Sequence, residues 1–464
     1  MQYVSTRGQA PALGFAEAMM AGLARDGGLY VPASLPVLTP DAIAELAGLT
    51  YAEAAFRVMR PFTGDAFDEA TFRAIIEAAY ASFVHPAVCP LVQTGPNDFL
   101  LELFHGPTLA FKDVAMQLIG RMFQAELARS GRRVTIVGAT SGDTGSAAIE
   151  AFRGLAAVDV FIMYPHGRVS DVQRRQMTTA TEANVHALAI DGDFDDCQAL
   201  LKAMFNDHAF RDQVSLAGVN SINWARVLAQ VVYYVTAAVS LGAPYRPVSF
   251  CVPTGNFGDI FAGYVAKGMG LPVDRLVIAT NQNDILHRTL DSGSYQKGRV
   301  VPSISPSMDI QVSSNFERLV FDLFGRDGGA TAAAMAEFGR DGRTVLPQGA
   351  LAVLRAGFDS AAVSEDETLA TIAATARATG QVVCPHTAVG LHAASLRRGD
   401  PAVPMVTLAT AHAAKFPDAV ERACGIRPAL PARMSDLFDR PERVTRLAAD
   451  LNAIETHIRK ARAA

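Results

Sequence analysis

From about residue 132 onward, short β-branched runs alternate with stretches of helical periodicity. This alternation constrains the fold most, because neighbouring parallel strands need a long crossover and a helix is its usual form. Strands are expected over 134–137, 158–164, 185–190, 214–219, 248–252 and 276–280, with helices beginning near Ser146, Asp171, Phe194, Ile222 and Asp259. Several of those starts follow a Ser, Asp or Asn able to cap them. The pattern is that of a doubly wound α/β protein. The first hundred residues differ: helical segments rich in Ala and Phe, broken at Pro32, Pro36, Pro40, Pro61 and Pro90, form a separate N-terminal segment packed on the main body. Over 325–342 glycine and charge are dense, which predicts an exposed helix pair or insertion, and after Val403 a buried strand returns.

With 464 residues, half of them hydrophobic, the chain can bury a large core and is long enough for two or three domains. Its 41 basic and 46 acidic residues are well mixed, giving a net charge of -5, so neither a nucleic-acid stripe nor a polybasic membrane anchor is present in the sequence. Residues 11–24 read as an amphipathic helix rather than a signal peptide, and 227–241 are too short and too polar to span a bilayer. Five scattered cysteines without a CxxC pair indicate buried reduced thiols of a cytoplasmic protein, with no zinc site and no disulfide framework.

Five segments carry residue types suited to chemistry. In His105-Gly106-Pro107-Thr108-Leu109-Ala110-Phe111-Lys112-Asp113-Val114 a lysine stands among apolar neighbours at a helix start. Desolvation there lowers its pKa and leaves neutral amine, as a Schiff-base former requires, although a lone lysine more often snorkels to water. Gly138-Ala139-Thr140-Ser141-Gly142-Asp143-Thr144-Gly145 and Pro253-Thr254-Gly255-Asn256-Phe257-Gly258-Asp259 each join a strand to a helix. In an open α/β sheet such loops offer free N–H groups to anions, and two of them give two anion sites. The first loop lacks the spacing of a dinucleotide or Walker-type phosphate loop. Asp259 is expected to cap its helix with the carboxylate turned away from an anion. Asn220-Ser221-Ile222-Asn223-Trp224-Ala225-Arg226 offers a guanidinium for a second phosphate, with Asn220 and Ser221 as further donors. Thr410, in Thr410-Ala411-His412-Ala413-Ala414-Lys415-Phe416, ends a strand where a hydroxyl reaches the cleft.

Taken together these segments resemble the longer form of the threonine synthase family, pyridoxal phosphate enzymes with a fold like the tryptophan synthase β-subunit (fold type II). Tyr3-Val4-Ser5-Thr6-Arg7-Gly8, Gly27 to Pro32 and Pro385-His386-Thr387-Ala388-Val389-Gly390 extend the likeness over most of the chain. The resemblance implies two doubly wound open-sheet domains enclosing a cofactor cleft: a small one over 132–215 and a large one over 99–131 plus 216–464, behind an N-terminal segment over 1–98. It implies that Lys112 carries pyridoxal 5'-phosphate and is the catalytic residue. Gly255, Asn256, Phe257 and Gly258 would bind the cofactor phosphate, and Thr410 would face the pyridine nitrogen. Asp143 stands where the wider group often has an Asn bonded to the phenolic oxygen; a carboxylate there needs a shared proton. Thr140, Ser141 and Thr144 would meet the substrate carboxylate or phosphate, and Asn220, Ser221 and Arg226 the phosphate of O-phospho-L-homoserine. Cys384 replaces the acidic residue that usually precedes Pro-His, while His386 is retained as a structural histidine.

The reaction so implied is conversion of O-phospho-L-homoserine and water to L-threonine and phosphate, the last step of threonine biosynthesis, by a carbon-oxygen lyase acting as a monomer or homodimer. Lys112 would move the Cα proton and later those at Cβ and Cγ, while Arg226 and the hydroxyls stabilise the departing phosphate. The rival readings are a dehydratase or phospholyase of the same group acting on another hydroxy or phospho amino acid, and a non-catalytic relative. A hydroxyl at Thr410 cannot hold a proton on the pyridine nitrogen, so charge control must come from elsewhere in the site.

Overall fold

Val158–Pro165 is buried at every position, as a central strand covered on both faces must be. In the computed structural model, which describes residues 1–463, it lies at the middle of a five-stranded parallel sheet. The order across that sheet is Thr445–Ala448, Val185–Asp191, Val158–Pro165, Val134–Ala139 and Leu216–Ala217. A second sheet runs Phe358–Ala362, Val273–Thr280, Val248–Pro253, Met405–Ala409, Asp98–Glu102 and Leu91–Gln93, parallel except for the last edge strand. Two open parallel sheets covered by helices make the chain the doubly wound α/β protein expected.

The expected boundaries shift in three places, one of them at Leu216–Ala217, which pairs in the smaller sheet although residues from 216 on were assigned to the larger domain. The larger sheet begins at Leu91, inside the segment assigned to the N-terminal part. The chain's C-terminal end leaves the larger body: Thr445–Ala448 pairs in parallel with Val185–Asp191, and Ile454 and Ile458 of the helix Leu451–Ala463 pack with Leu200, Leu201 and Met204. A four-residue strand whose residues are half exposed gives no β-period signal, so its sheet was not legible. Over 328–345 there is one helix, Gly328–Asp341, and a strand, Arg343–Val345, paired antiparallel with Ser294–Gln296, in place of a helix pair. The strand expected over 214–219 contracts to Leu216–Ala217.

Trp224–Ser240 is the axial helix, buried along most of its length. The N-terminal segment packs against it through Tyr3, whose ring meets those of Phe15 and Trp224 and whose hydroxyl donates to Phe62 O at 2.8 Å. The segment is helical as expected, with a small antiparallel pair, Tyr3–Ser5 and Tyr30–Pro32, added. Among the described residues no helix is long and apolar enough to cross a membrane. Cys89, Cys197, Cys251 and Cys384 are free and buried, whereas Cys424 is partly exposed.

Candidate active site

A cleft of about 1140 Å³ gathers residues from both sheets at the carboxyl ends of their strands. Lys112, Thr140, Ser141, Asp143, Thr144, Asn220, Ser221, Arg226, the Gly255 to Gly258 loop and Thr410 all line it. Every residue expected to bind cofactor or substrate therefore reaches one cavity, but not all in the manner expected.

Lys112 opens the helix Lys112–Ser130, and its approach is fixed by Asp113 beside it. The buried Asp113 carboxylate accepts from the Thr108 N–H and hydroxyl, both at 2.7 Å, which folds the Gly106-Pro107-Thr108 turn back on the helix start. A side chain at Gly106 would collide with Asp113, so the turn needs glycine. The segment is then stitched to the Thr410 strand end: Phe111 N–H donates to Thr410 O at 2.8 Å and His412 N–H to Leu109 O at 3.0 Å. Lys112 Nζ lies 3.6 Å from Asp143 Oδ2 and 3.4 Å from Ser307 Oγ. Burial, reinforced by the charges of Arg226 and Lys415, outweighs the Asp143 carboxylate and pushes the amine down to about 8.

The Asp143 carboxylate was expected to need a shared proton. The structure supplies a cation instead. Lys415, fully buried, donates to Asp143 Oδ1 at 2.8 Å and to Thr108 O at 2.8 Å, and Gln173 Nε2 donates to the same Oδ1 at 2.8 Å. Burial favours the neutral acid, but Lys415 and Lys112 with these hydrogen bonds overcome it and hold the carboxyl well below the usual range. In the same loop Thr140 is engaged by its own backbone: its Oγ1 accepts from Gly142 N–H and Gly145 N–H, both at 2.9 Å. That engagement shapes the loop and leaves the Thr140 hydroxyl its own proton to donate, and Thr140, Ser141 and Thr144 all line the cleft.

The second loop turns its carbonyls outward. Gly255 O accepts from Ser313 Oγ at 2.7 Å, and Asn256 O accepts from Asn315 N at 3.0 Å and Nδ2 at 2.9 Å. Phe257 takes a left-handed φ of 64° to complete the turn. Among the described residues no protein acceptor takes the N–H of Gly255, Asn256, Phe257 or Gly258, which leaves them for an anion. A Cβ at Gly255 would stand 2.5 Å from Ser307 O, so only glycine lets the loop pass under the Pro306–Met308 turn. Asp259 is the second residue of the helix Gly258–Gly268 and not its cap; its carboxylate does point away, accepting from the hydroxyls of Tyr233 and Tyr234.

Arg226 lies in the first turn of Trp224–Ser240, only 3% exposed, with Nε and Nη1 lacking a hydrogen-bond partner. A buried unpaired guanidinium is costly unless an anion arrives. Burial lowers its pKa to about 10, which still keeps it charged at neutral pH. His386 Nε2 accepts from Ser307 N at 3.2 Å while its buried Nδ1 has no partner, and burial pushes the ring down to about 4, so it stays neutral. Cys384 does what an acidic residue would do before Pro-His: its Sγ accepts from Thr387 N at 3.5 Å at the start of Pro385–Leu396.

Lys415, Ser307 and Gln173 escaped the sequence reading. Lys415 alone carried a signal, a lysine inside the apolar run Ala413 to Phe416 directly after the Thr410 strand end.

Three family models cover the chain in succession: "Threonine synthase N terminus" over residues 2–80, "Pyridoxal-phosphate dependent enzyme" over 93–361 and "Threonine synthase, C-terminal" over 387–458. The chain is 56% identical to a threonine synthase of Pseudomonas aeruginosa over 99% of its own length and 98% of that relative. Among solved structures, the pyridoxal phosphate-bound threonine synthase of Brucella melitensis superposes with a TM-score of 0.96 at 56% identity, covering 99% of each chain. The yeast threonine synthase superposes with a TM-score of 0.93 at 38% identity, covering 100% of this chain and 99% of the other.

Proposed function

The chain belongs to the threonine synthase family, and from that premise we propose how its cleft carries out the family's reaction. It is a pyridoxal phosphate-dependent lyase that forms L-threonine and phosphate from O-phospho-L-homoserine and water. The residues of the cleft fit the cofactor on two independent observations: four backbone N–H groups without an acceptor at a helix start, and a buried lysine whose amine is held near neutrality. Lys112 is assigned to the cofactor's aldehyde, the N–H groups of Gly255, Asn256, Phe257 and Gly258 to its phosphate, Asp143 to its phenolic oxygen and Thr410 to its ring nitrogen. When bound, pyridoxal phosphate supplies the electron sink for chemistry at the substrate carbons.

The chain's own groups do the rest. Lys112 Nζ accepts the proton from the substrate α-carbon and returns protons farther along the chain, a task suited to an amine with a pKa of about 8. Ser307 Oγ, 3.4 Å from both Lys112 Nζ and Asp143 Oδ2, orients that amine. Ser141 and Thr144, with the unengaged N–H groups of their loop, receive the substrate carboxylate. Arg226, supported by Asn220 and Ser221, holds the substrate phosphate and stabilises it as it departs. All these residues come from one chain, which suits a monomer or a homodimer of independent sites, and the enzyme is read as cytoplasmic with a small molecule as its only required partner.

The unpaired Arg226 carries the reading, because a dehydratase for an unphosphorylated amino acid has no use for a buried guanidinium left without a partner. Arg226→Ala is expected to raise KM for O-phospho-L-homoserine by about tenfold to a hundredfold while the visible band of the bound cofactor persists. Unchanged steady-state kinetics would remove Arg226 from the site.

A further inference from the structure

Asp143 sits between two buried lysines, and the second has no part in the reaction as derived above. Lys415 ends the short turn Ala413–Lys415, five residues beyond Thr410, with no exposure to solvent. Its ammonium has two fixed acceptors, Asp143 Oδ1 and Thr108 O, each at 2.8 Å. Thr108 is the residue whose N–H and hydroxyl are gripped by Asp113, next to Lys112. Lys415 therefore ties the glycine loop of the smaller sheet to the turn that aims Lys112. It also saturates one oxygen of Asp143 together with Gln173, leaving Oδ2 turned toward Lys112 and Ser307.

We propose that Lys415 is a positioning residue that fixes the charge and orientation of Asp143, and through it sets how readily the Lys112 amine gives up its proton. The proposal rests on Lys112 being the cofactor-binding lysine. Its physical content is a three-charge arrangement. Asp143 stabilises an ammonium at Lys112, and Lys415 counters that by neutralising the carboxylate and adding like charge behind it. Without Lys415, an uncompensated Asp143 would favour the protonated Lys112 and deprive the site of neutral amine. The other ionisable groups facing the three are Asp113, Arg226, His386, His412 and Cys384. Among them Arg226 works in the same direction as Lys415, while His386 is neutral and Asp113 is turned to Thr108. Lys415 is thus the one cation in direct contact with the carboxylate besides Lys112 among the described residues.

The test uses the full-length protein freed of cofactor. Pyridoxal phosphate is added, and the initial rate at which its visible band develops is followed across about pH 6 to 10, a readout of neutral Lys112 that needs no turnover. The wild-type profile should have its midpoint near 8. Lys415→Met should move the midpoint up by about one unit, about a fivefold loss of neutral amine at the wild-type midpoint and about tenfold well below it. Lys415→Arg, which keeps the cation, should stay with the wild type. Because Lys415→Met leaves a buried carboxylate with one partner fewer, the charge-free pair Asp143→Asn with Lys415→Met provides a second arm. It removes the larger attraction along with the smaller repulsion, so its midpoint should fall below that of the wild type. A Lys415→Met midpoint equal to the wild type, or a double variant whose midpoint does not fall, overturns the proposal. Lys112→Ala separates the two readings: a band that still forms in that variant refutes the assignment of Lys112 itself, whereas its loss together with an unmoved Lys415→Met midpoint refutes only the role of Lys415.

Discussion

Asp143 and Asp259 occupy matching places in the two glycine loops. Each follows a Gly at the start of a helix, each helix follows a parallel strand, and each carboxylate is buried. Their environments nevertheless drive them apart. Asp143 meets two lysines and an amide and is held as a carboxylate. Asp259 meets two tyrosine hydroxyls, and burial outweighs those hydrogen bonds and the distant Arg226, pushing it up to about 6. The lesson is that loop spacing tells where an anion site is, while the partners from distant segments decide what the acidic residue beside it does. One carboxylate is placed among the lysines of the cleft, and the other anchors a helix to Trp224–Ser240.

The comparison breaks most easily on turnover. Asp143→Ala should lower kcat at least about a hundredfold, because it releases both the lysine that reacts and the one behind it, whereas Asp259→Asn should leave kcat within about threefold. Comparable losses from the two would mean that both face the reacting groups. On stability the same contrast should appear in thermal unfolding of the cofactor-free protein. Asp143→Asn strands a fully buried Lys415 and should cost about 3–5 kcal/mol, while Asp259→Asn keeps an acceptor for both tyrosines and should cost about 1 kcal/mol or less. A smaller contrast concerns the loops themselves. Gly255→Ala must push Ser307 O aside and should weaken pyridoxal phosphate binding by about tenfold, whereas Gly142→Ala, at a φ of 137°, should destabilise the fold by about 1–3 kcal/mol with a lesser effect on cofactor affinity.

The pH dependence gives the finest comparison. A raised acid such as Asp259 binds more protons in the folded than in the unfolded state between about 4 and 6, so its contribution to stability is present below the unfolded pKa and fades as pH rises to about 6. Asp259→Asn should therefore gain on the wild type as pH climbs through that window and hold the gain above it. Asp143, depressed on folding, contributes above its unfolded pKa, so Asp143→Asn should be destabilised throughout the neutral range. A pH-independent Asp259→Asn difference would show that this carboxyl is not perturbed.

How much of this was legible in the sequence follows the same division. Periodicity located all six expected strands to within a few residues, with the one over 214–219 contracted to Leu216–Ala217, and missed Thr445–Ala448, which is too short to show a period and is held by pairing from afar. The glycine loops, Lys112, Arg226 and Thr410 were legible because each stands in a local pattern of strand, turn and helix. The partners of Asp143 were not. Lys415 lies 272 positions later, and nothing local tells that a lysine in an apolar turn will end 2.8 Å from that carboxylate. Thr140 was legible only in part: its place in the cleft follows from the glycine loop, but that its oxygen also accepts from two N–H groups of that loop does not show in the sequence.

The most direct test is product analysis of the purified holoenzyme with O-phospho-L-homoserine, following threonine and inorganic phosphate together. Equal amounts of the two, with neither formed by Lys112→Ala, are the expected result; phosphate released with a keto acid in place of threonine would contradict the account.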